Sequence, residues 1–134
     1  MNAPQRTESG VRKLQSRHSV SETIDRLAAL LKERGITIFA QIDFSHDAAA
    51  NGLSMPPEQQ LIFGNPKAGT ALMLANPTAA LDLPLRAICW QDGDGQTWLA
   101  YNDPTYIIER HHLPENLARN LAAVTPLLEQ AVTE

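Results

Sequence analysis

The sequence predicts an α+β fold with a mainly antiparallel sheet. Three observations predict it. A helix at 20–34 carries recognisable signals at both ends, a turn at 92–95 joins two strand candidates, and helices and strands do not alternate as strict βαβα units.

Residues 1–10 are polar, contain Pro4 and Gly10, and lack periodicity, so a flexible tail is expected before a domain at 11–134. A first strand is expected at 11–18, where alternation is weak. Ser19-Val20-Ser21-Glu22 has the form of a capping box, and Ile24, Leu27, Ala28 and Leu31 form one apolar stripe. Lys32 and Arg34 suit the last turn of this helix, and Gly35 suits its left-handed cap. A strand follows at 36–42, with Ile36, Ile38, Ala40 and Ile42 expected on one face. Residues 43–51 read as a short helix capped by Asp43 and ended by Gly52, and Pro56-Pro57 require a loop. The third strand is expected at 59–63.

Asn65-Pro66 then reads as cap plus first residue of a helix that stops before Asn76-Pro77. Strands at 85–91 and 97–102 flank Asp92-Gly93-Asp94-Gly95, a hairpin signal. Asp103-Pro104 opens a helical turn through His111. The final helix is expected at 115–131, kinked or reset by Pro126, with Leu117, Leu121, Val124 and Leu128 buried.

The 134 residues fit one domain, and 43% hydrophobic with 19% charged residues is a globular composition. A net charge of -4 offers no basic footprint, so phosphate-neutralising nucleic-acid binding is not expected. No apolar run spans a bilayer, and residues 1–10 lack the apolar stretch expected of a secretory signal. Cys89 is the single cysteine and cannot form an internal disulfide. A cytoplasmic location with no membrane partner is the expectation.

Four stretches carry a family resemblance: Phe39-Ala40-Gln41-Ile42-Asp43, the run from Leu61 to Thr70, the run from Ala80 to Leu85, and Tyr101-Asn102-Asp103-Pro104. Together they resemble the bacterial domain-of-unknown-function family 302. The resemblance implies a TATA-box-binding-protein-like fold, a curved antiparallel sheet with helices on one side, and a homodimer. It implies no established catalysis. Phe44-Ser45-His46 departs from the family pattern, so no role for His46 follows from it.

Gly64 and Gly69 have the spacing of a phosphate loop, but Thr70 stands where its lysine belongs and Lys67 comes too early, so nucleotide hydrolysis is rejected. A small anion at the helix start beside Asn65 and Lys67 is the weaker alternative, with simple capping by Asn65 preferred. His18, His46, His111 and His112 show no chelating spacing, and a single axial histidine for haem needs none. The cofactor is therefore unknown. Cys89 is in phase with Leu85 and Ala87 and is expected to be buried and inert. Asp82, between Leu81 and Leu83, either caps local backbone, the preferred reading, or faces a pocket. Tyr101, Asn102, Asp103 and Tyr106 form a polar knot at a strand-to-helix junction that either locks the turn or lines a cleft, with Asp103 first a cap. Trp90 and Trp98 are assigned to sheet packing or an oligomer interface.

The candidate ligand-binding set is Asn65, Lys67, Thr70, Asp82, Tyr101, Asn102 and Tyr106. A small-ligand or anion pocket at the sheet edge ranks first and a homo-oligomeric module second. An enzyme using Asp82, Tyr101 or His111 ranks last, because no nucleophile, metal set or cofactor loop is recognisable.

Overall fold

The computed structural model describes residues 7 and 9–133. Its element order is β1 (Val11–Ser16), α1 (Val20–Glu33), β2 (Thr37–Asp43), α2 (Phe44–Ala50), β3 (Glu58–Gly64), α3 (Pro66–Ala75), a 3₁₀ segment Pro77–Asp82, β4 (Leu85–Gln91), β5 (Thr97–Asn102), α4 (Pro104–Arg110), a 3₁₀ turn Glu115–Leu117, α5 (Ala118–Ala122) and α6 (Thr125–Thr133). The five strands form one sheet in the order β1-β5-β4-β3-β2, and every neighbouring pair is antiparallel. Strand ends therefore alternate. β3 and β5 run the same way, and their C-terminal ends leave the sheet beside the start of β4.

Period-two alternation sorts the strands. Leu14, Leu61, Phe63, Ala87, Cys89, Leu99 and Tyr101 form the inner face, under α1 and α6. The α1 stripe supplies Ile24, Leu27 and Leu31, all fully buried. Each such side chain contributes about 1.5–3 kcal/mol relative to exposure. Arg26 ties α1 to α6, donating from Nε to the Ala131 carbonyl at 3.0 Å. A second cluster, Leu72, Ala79, Ile107, Ile108, Leu113 and Leu121, lies among α3, the first 3₁₀ segment, α4 and α5. Leu85 packs against both clusters and joins them.

Most local signals act as expected. Ser19 Oγ accepts from the Glu22 N–H at 3.1 Å. In place of the reciprocal half of the capping box, the Glu22 carboxylate sits 3.6 Å from His18 Nδ1. At the other end Gly35, at φ +71°, donates to the Lys32 carbonyl and Ile36 to that of Leu31, the paired bonds of a Schellman cap.

One expectation needs correction, one holds in part, and one element is new. The single face assigned to Ile36, Ile38, Ala40 and Ile42 is split by a bulge between Ile38 and Ala40. Ile38 stays opposite Phe63 on the inner side, whereas Ala40 and Ile42 pair with Ile62 and Gln60 on the other. One inserted residue inverts the phase of everything after it. The helix expected at 115–131 is reset near Pro126 as expected, with an interruption at residues 123–124, but its first part is a 3₁₀ turn followed by the short α5. Pro126 has no N–H and its ring collides with the carbonyl four residues back, so a new helix starts at Thr125. The 3₁₀ segment Pro77–Asp82 was not expected at all.

The proposed tail of residues 1–10 falls mostly outside the described residues. Within it, Gly10 donates to the Thr7 carbonyl and accepts from the Asp103 N–H at 2.8 Å. Gly10 has φ +84°, and a Cβ there would stand 2.2 Å from Tyr106 Cγ.

Candidate functional site

The C-terminal end of β3 delivers the chain into α3. Asn65 Oδ1 accepts from the Lys67 N–H at 3.0 Å, and Pro66 takes the first helical position. This cap directs one side of α3, with Ala68, Gly69, Thr70 and Met73, along a cleft of about 590 Å³. The segment Leu83-Pro84-Leu85 and the α5–α6 junction, with Leu121, Val124 and Leu127, form further walls. Arg34, Ile36 and Phe39 come from the end of α1 and from β2. The volume is that of a small-molecule site. Among the described lining residues Arg34 is the one ionisable side chain, and Phe39 and Met73 stay 52% and 38% exposed at the surface. Two large apolar side chains are thus left open to solvent on one cleft.

A smaller pocket of about 100 Å³ adjoins the cleft, and Leu85, Leu121 and Val124 belong to the walls of both. Its other walls include Phe63, Leu81, Asp82, Tyr101, Asn102 and Pro104. Tyr101 is 6% exposed, and its hydroxyl is buried with no hydrogen-bond partner. Burial holds the phenol pKa above its ordinary value. His18 Nε2 is the other partnerless buried polar atom among the described side chains.

Asp82 does not cap local backbone. It ends the 3₁₀ segment and pairs with Arg110 at 3.0 Å and with His111 Nε2 at 2.6 Å. His111 is buried, and its Nδ1 lies 2.9 Å from Thr78 Oγ1. A carboxylate only accepts, so His111 donates to it from Nε2, while the Thr78 hydroxyl beside Nδ1 donates to Asn76 Oδ1 at 3.0 Å. Asn76 Nδ2 donates to the His111 carbonyl at 2.8 Å. This network fastens the 3₁₀ segment, and with it the Leu83-Pro84 wall, to the end of α4.

The expected site residues thus divide. Asn65 and Thr70 line the cleft, while Asp82, Tyr101 and Asn102 line the small pocket. Thr70 also donates to the Pro66 carbonyl of its own helix at 2.7 Å. Lys67 is exposed and lines neither space, and Tyr106 packs its ring against Gly10. Arg34, Phe39, Met73, Leu121 and Val124 were missed as site residues. The one available hint was Phe39, a large apolar residue out of phase with Ile36 and Ile38.

Cys89 is fully buried in β4, and desolvation pushes its thiol up to about 11. Among the described residues, no three His, Cys, Asp or Glu side chains are grouped to hold a metal ion. Asp103 caps α4 through the Thr105 N–H at 2.7 Å and pairs with Arg12. Trp90 and Trp98 are cross-strand partners on the face opposite Leu99, with Lys13 Nζ 5.7 Å and 4.4 Å from the two ring centres. Trp98 Nε1 donates to Asp92 at 2.8 Å, which braces the hairpin.

A family model described as Domain of unknown function DUF302 matches residues 12–132. The crystal structure of an uncharacterised DUF302 protein from Bacillus stearothermophilus superposes with a TM-score of 0.74 at 21% identity, covering 92% of this chain and 95% of that one. That likeness shows the fold. Two proteins named as fluoride-specific ion channels FluC 1, from Brucella suis and Brucella abortus, are each 47% identical over 106 residues. The match takes 79% of this chain but only 42% and 39% of those proteins. No described helix of this chain is long and apolar enough to cross a membrane.

Proposed function

The chain belongs to the DUF302 family, and from that premise we propose that it is a binding domain for a small amphipathic ligand held in the α3 cleft. The observation that carries this reading is the cleft itself, about 590 Å³ with mostly apolar walls and Arg34 as its charged group. The apolar body of the ligand would displace water from Phe39, Met73, Leu83 and Val124. An anionic group would pair with Arg34 or meet the positive end of the α3 dipole near Asn65.

The test is titration with a simple mimic, decanoate, against wild type and Gly69→Leu. Gly69 lines the cleft, and a Cβ there meets Leu83 at an ordinary 3.8 Å. Leucine also favours helix over glycine, so the variant folds. The reading expects decanoate binding by wild type and loss of at least about tenfold in Gly69→Leu. Equal binding by both, or none by wild type, refutes it.

The match to the fluoride channels favours a second reading, in which this domain is an appended part of such a channel. The matched region is about two-fifths of those proteins, and this chain has no described helix of membrane-crossing length and hydropathy. Fluoride flux from vesicles should then persist in a channel lacking the matched region and change only in its regulation. Self-association through the Trp90–Trp98 face and a cytoplasmic location complete the proposal. Aromatic rings on a sheet face support the first, and the lone buried Cys89 supports the second.

A further inference from the structure

We propose that the exposed side of α3 docks on an anionic lipid bilayer, with the mouth of the cleft toward the lipid; the use of this contact, loading of the cleft, rests on the reading above. Five large apolar side chains stand exposed among the described residues: Phe39, Leu53, Met73, Leu74 and Leu81. All but Leu53 gather around α3. Phe39 and Met73 line the cleft, and Leu74 follows in the helix at 82% exposure. Leu81, at 68%, belongs to the 3₁₀ segment that packs beside α3. Leu53 lies apart, before β3, whereas α3 follows it. The helix itself is the stronger sign. Its 10 residues hold one charged side chain, Lys67, and only Leu72 is buried. A helix apolar on nearly every side is ordinarily covered. Helical spacing puts Lys67, Thr70 and Leu74 on one stripe, next to the stripe of Pro66, Gly69 and Met73 along the cleft.

Charge selects the occupant. Neither α3 nor the cleft lining contains an acidic residue. Their cations are Lys67 and Arg34, and neither has an acidic partner among the described residues. A second copy seated here by a two-fold axis would bring the same cations together with nothing to offset them. An anionic lipid surface pairs with both, while Leu74 and Met73 enter the acyl boundary. The chain as a whole carries a charge of -4, so the attraction is confined to this face and orients the molecule. A bilayer also suits the ligand, because an amphipathic molecule dissolved in lipid reaches the cleft without exposing its apolar body to water. The contact is peripheral, since no described helix is long and apolar enough to cross a membrane. No membrane partner was expected from the sequence because that expectation rested on the length of apolar runs, and this surface is assembled from β2, α3 and the 3₁₀ segment.

The experiment sediments the full chain with vesicles of mixed phosphatidylglycerol and phosphatidylcholine, or of phosphatidylcholine alone. It compares wild type, Leu74→Glu and Leu53→Glu. Both variants change an exposed side chain outside the cleft lining, and thermal unfolding and decanoate titration without vesicles check fold and cleft. Wild type should prefer the anionic vesicles by roughly twentyfold, two cations at about fivefold each, and should leave them in salt of about 1 M. Leu74→Glu should lose at least about tenfold in vesicle binding and keep its decanoate binding. Leu53→Glu should match wild type in both. No binding to anionic vesicles, equal binding to the two lipids, or equal losses in the two variants overturns the docking surface. Absence of vesicle binding together with a halved sedimenting mass for Leu74→Glu also overturns it, and assigns α3 to a second copy. Decanoate binding in any of these cases leaves the cleft reading standing. Vesicle binding as expected with no decanoate binding supports the surface and refutes the cleft reading.

Discussion

Asp103 performs two tasks at once, and its protonation couples them. It caps α4 and pairs with Arg12 across from β1 while only 1% exposed. Burial alone would raise its carboxyl pKa, but hydrogen bonds from Thr105 and Arg12 outweigh it and hold it below 3.8. The folded value is depressed, so its contribution is complete above the unfolded value near 3.9 and is lost as pH falls through the folded value. Unfolding midpoints should therefore fall below about pH 4, and Asp103→Asn should flatten that acid limb. At neutral pH the same variant should lose about 2 kcal/mol in denaturant melts. Asp103 was legible as a cap from the proline after it. Its pairing with Arg12 was not, because the two are brought together by the β1–β5 register. Cys89 was legible from strand phase alone, and its buried, raised-pKa thiol should resist a disulfide reagent until the protein unfolds.

Elements were legible where turn chemistry marks them. β4 and β5 begin and end as expected because Asp92 organises the turn between them, accepting from the Asp94 and Gln96 N–H groups at 2.9 Å each. Gly35 was legible for the same reason. Its φ of +71° with open space around it predicts that Gly35→Ala costs about 1 kcal/mol through backbone strain alone, measured by thermal unfolding. Gly10→Ala should cost more than Gly35→Ala, because its Cβ also enters the Tyr106 ring. The β2 bulge left no mark, since Ile38-Phe39-Ala40 reads equally well as unbroken alternation. The 3₁₀ segment was hidden because its anchor is tertiary: Asp82 is held by Arg110 and His111 from a different part of the chain. Its position holds the Leu83-Pro84 wall of the cleft, which links this miss to the missed site residues.

At the scale of the molecule, the antiparallel order places the ends of β3 and β5 on one side of the sheet, and the two pockets open there. The individual residues Asn65, Tyr101 and Asn102 could be singled out from sequence, but the cleft could not. Its walls come from four separated stretches, and apolar lining residues resemble core residues until the packing is known. Sedimentation should give a species of about twice the 14.7 kDa chain mass, reduced to one chain by Trp98→Lys if the tryptophan face is the interface. The central claim is that the α3 cleft holds the ligand, and amide chemical-shift mapping with decanoate tests it most directly. The account predicts perturbed amides at residues 34–39, 64–73, 83–85 and 120–127, with the hairpin at 92–96 unmoved. Perturbations centred on the hairpin, or none at saturating decanoate, would contradict it.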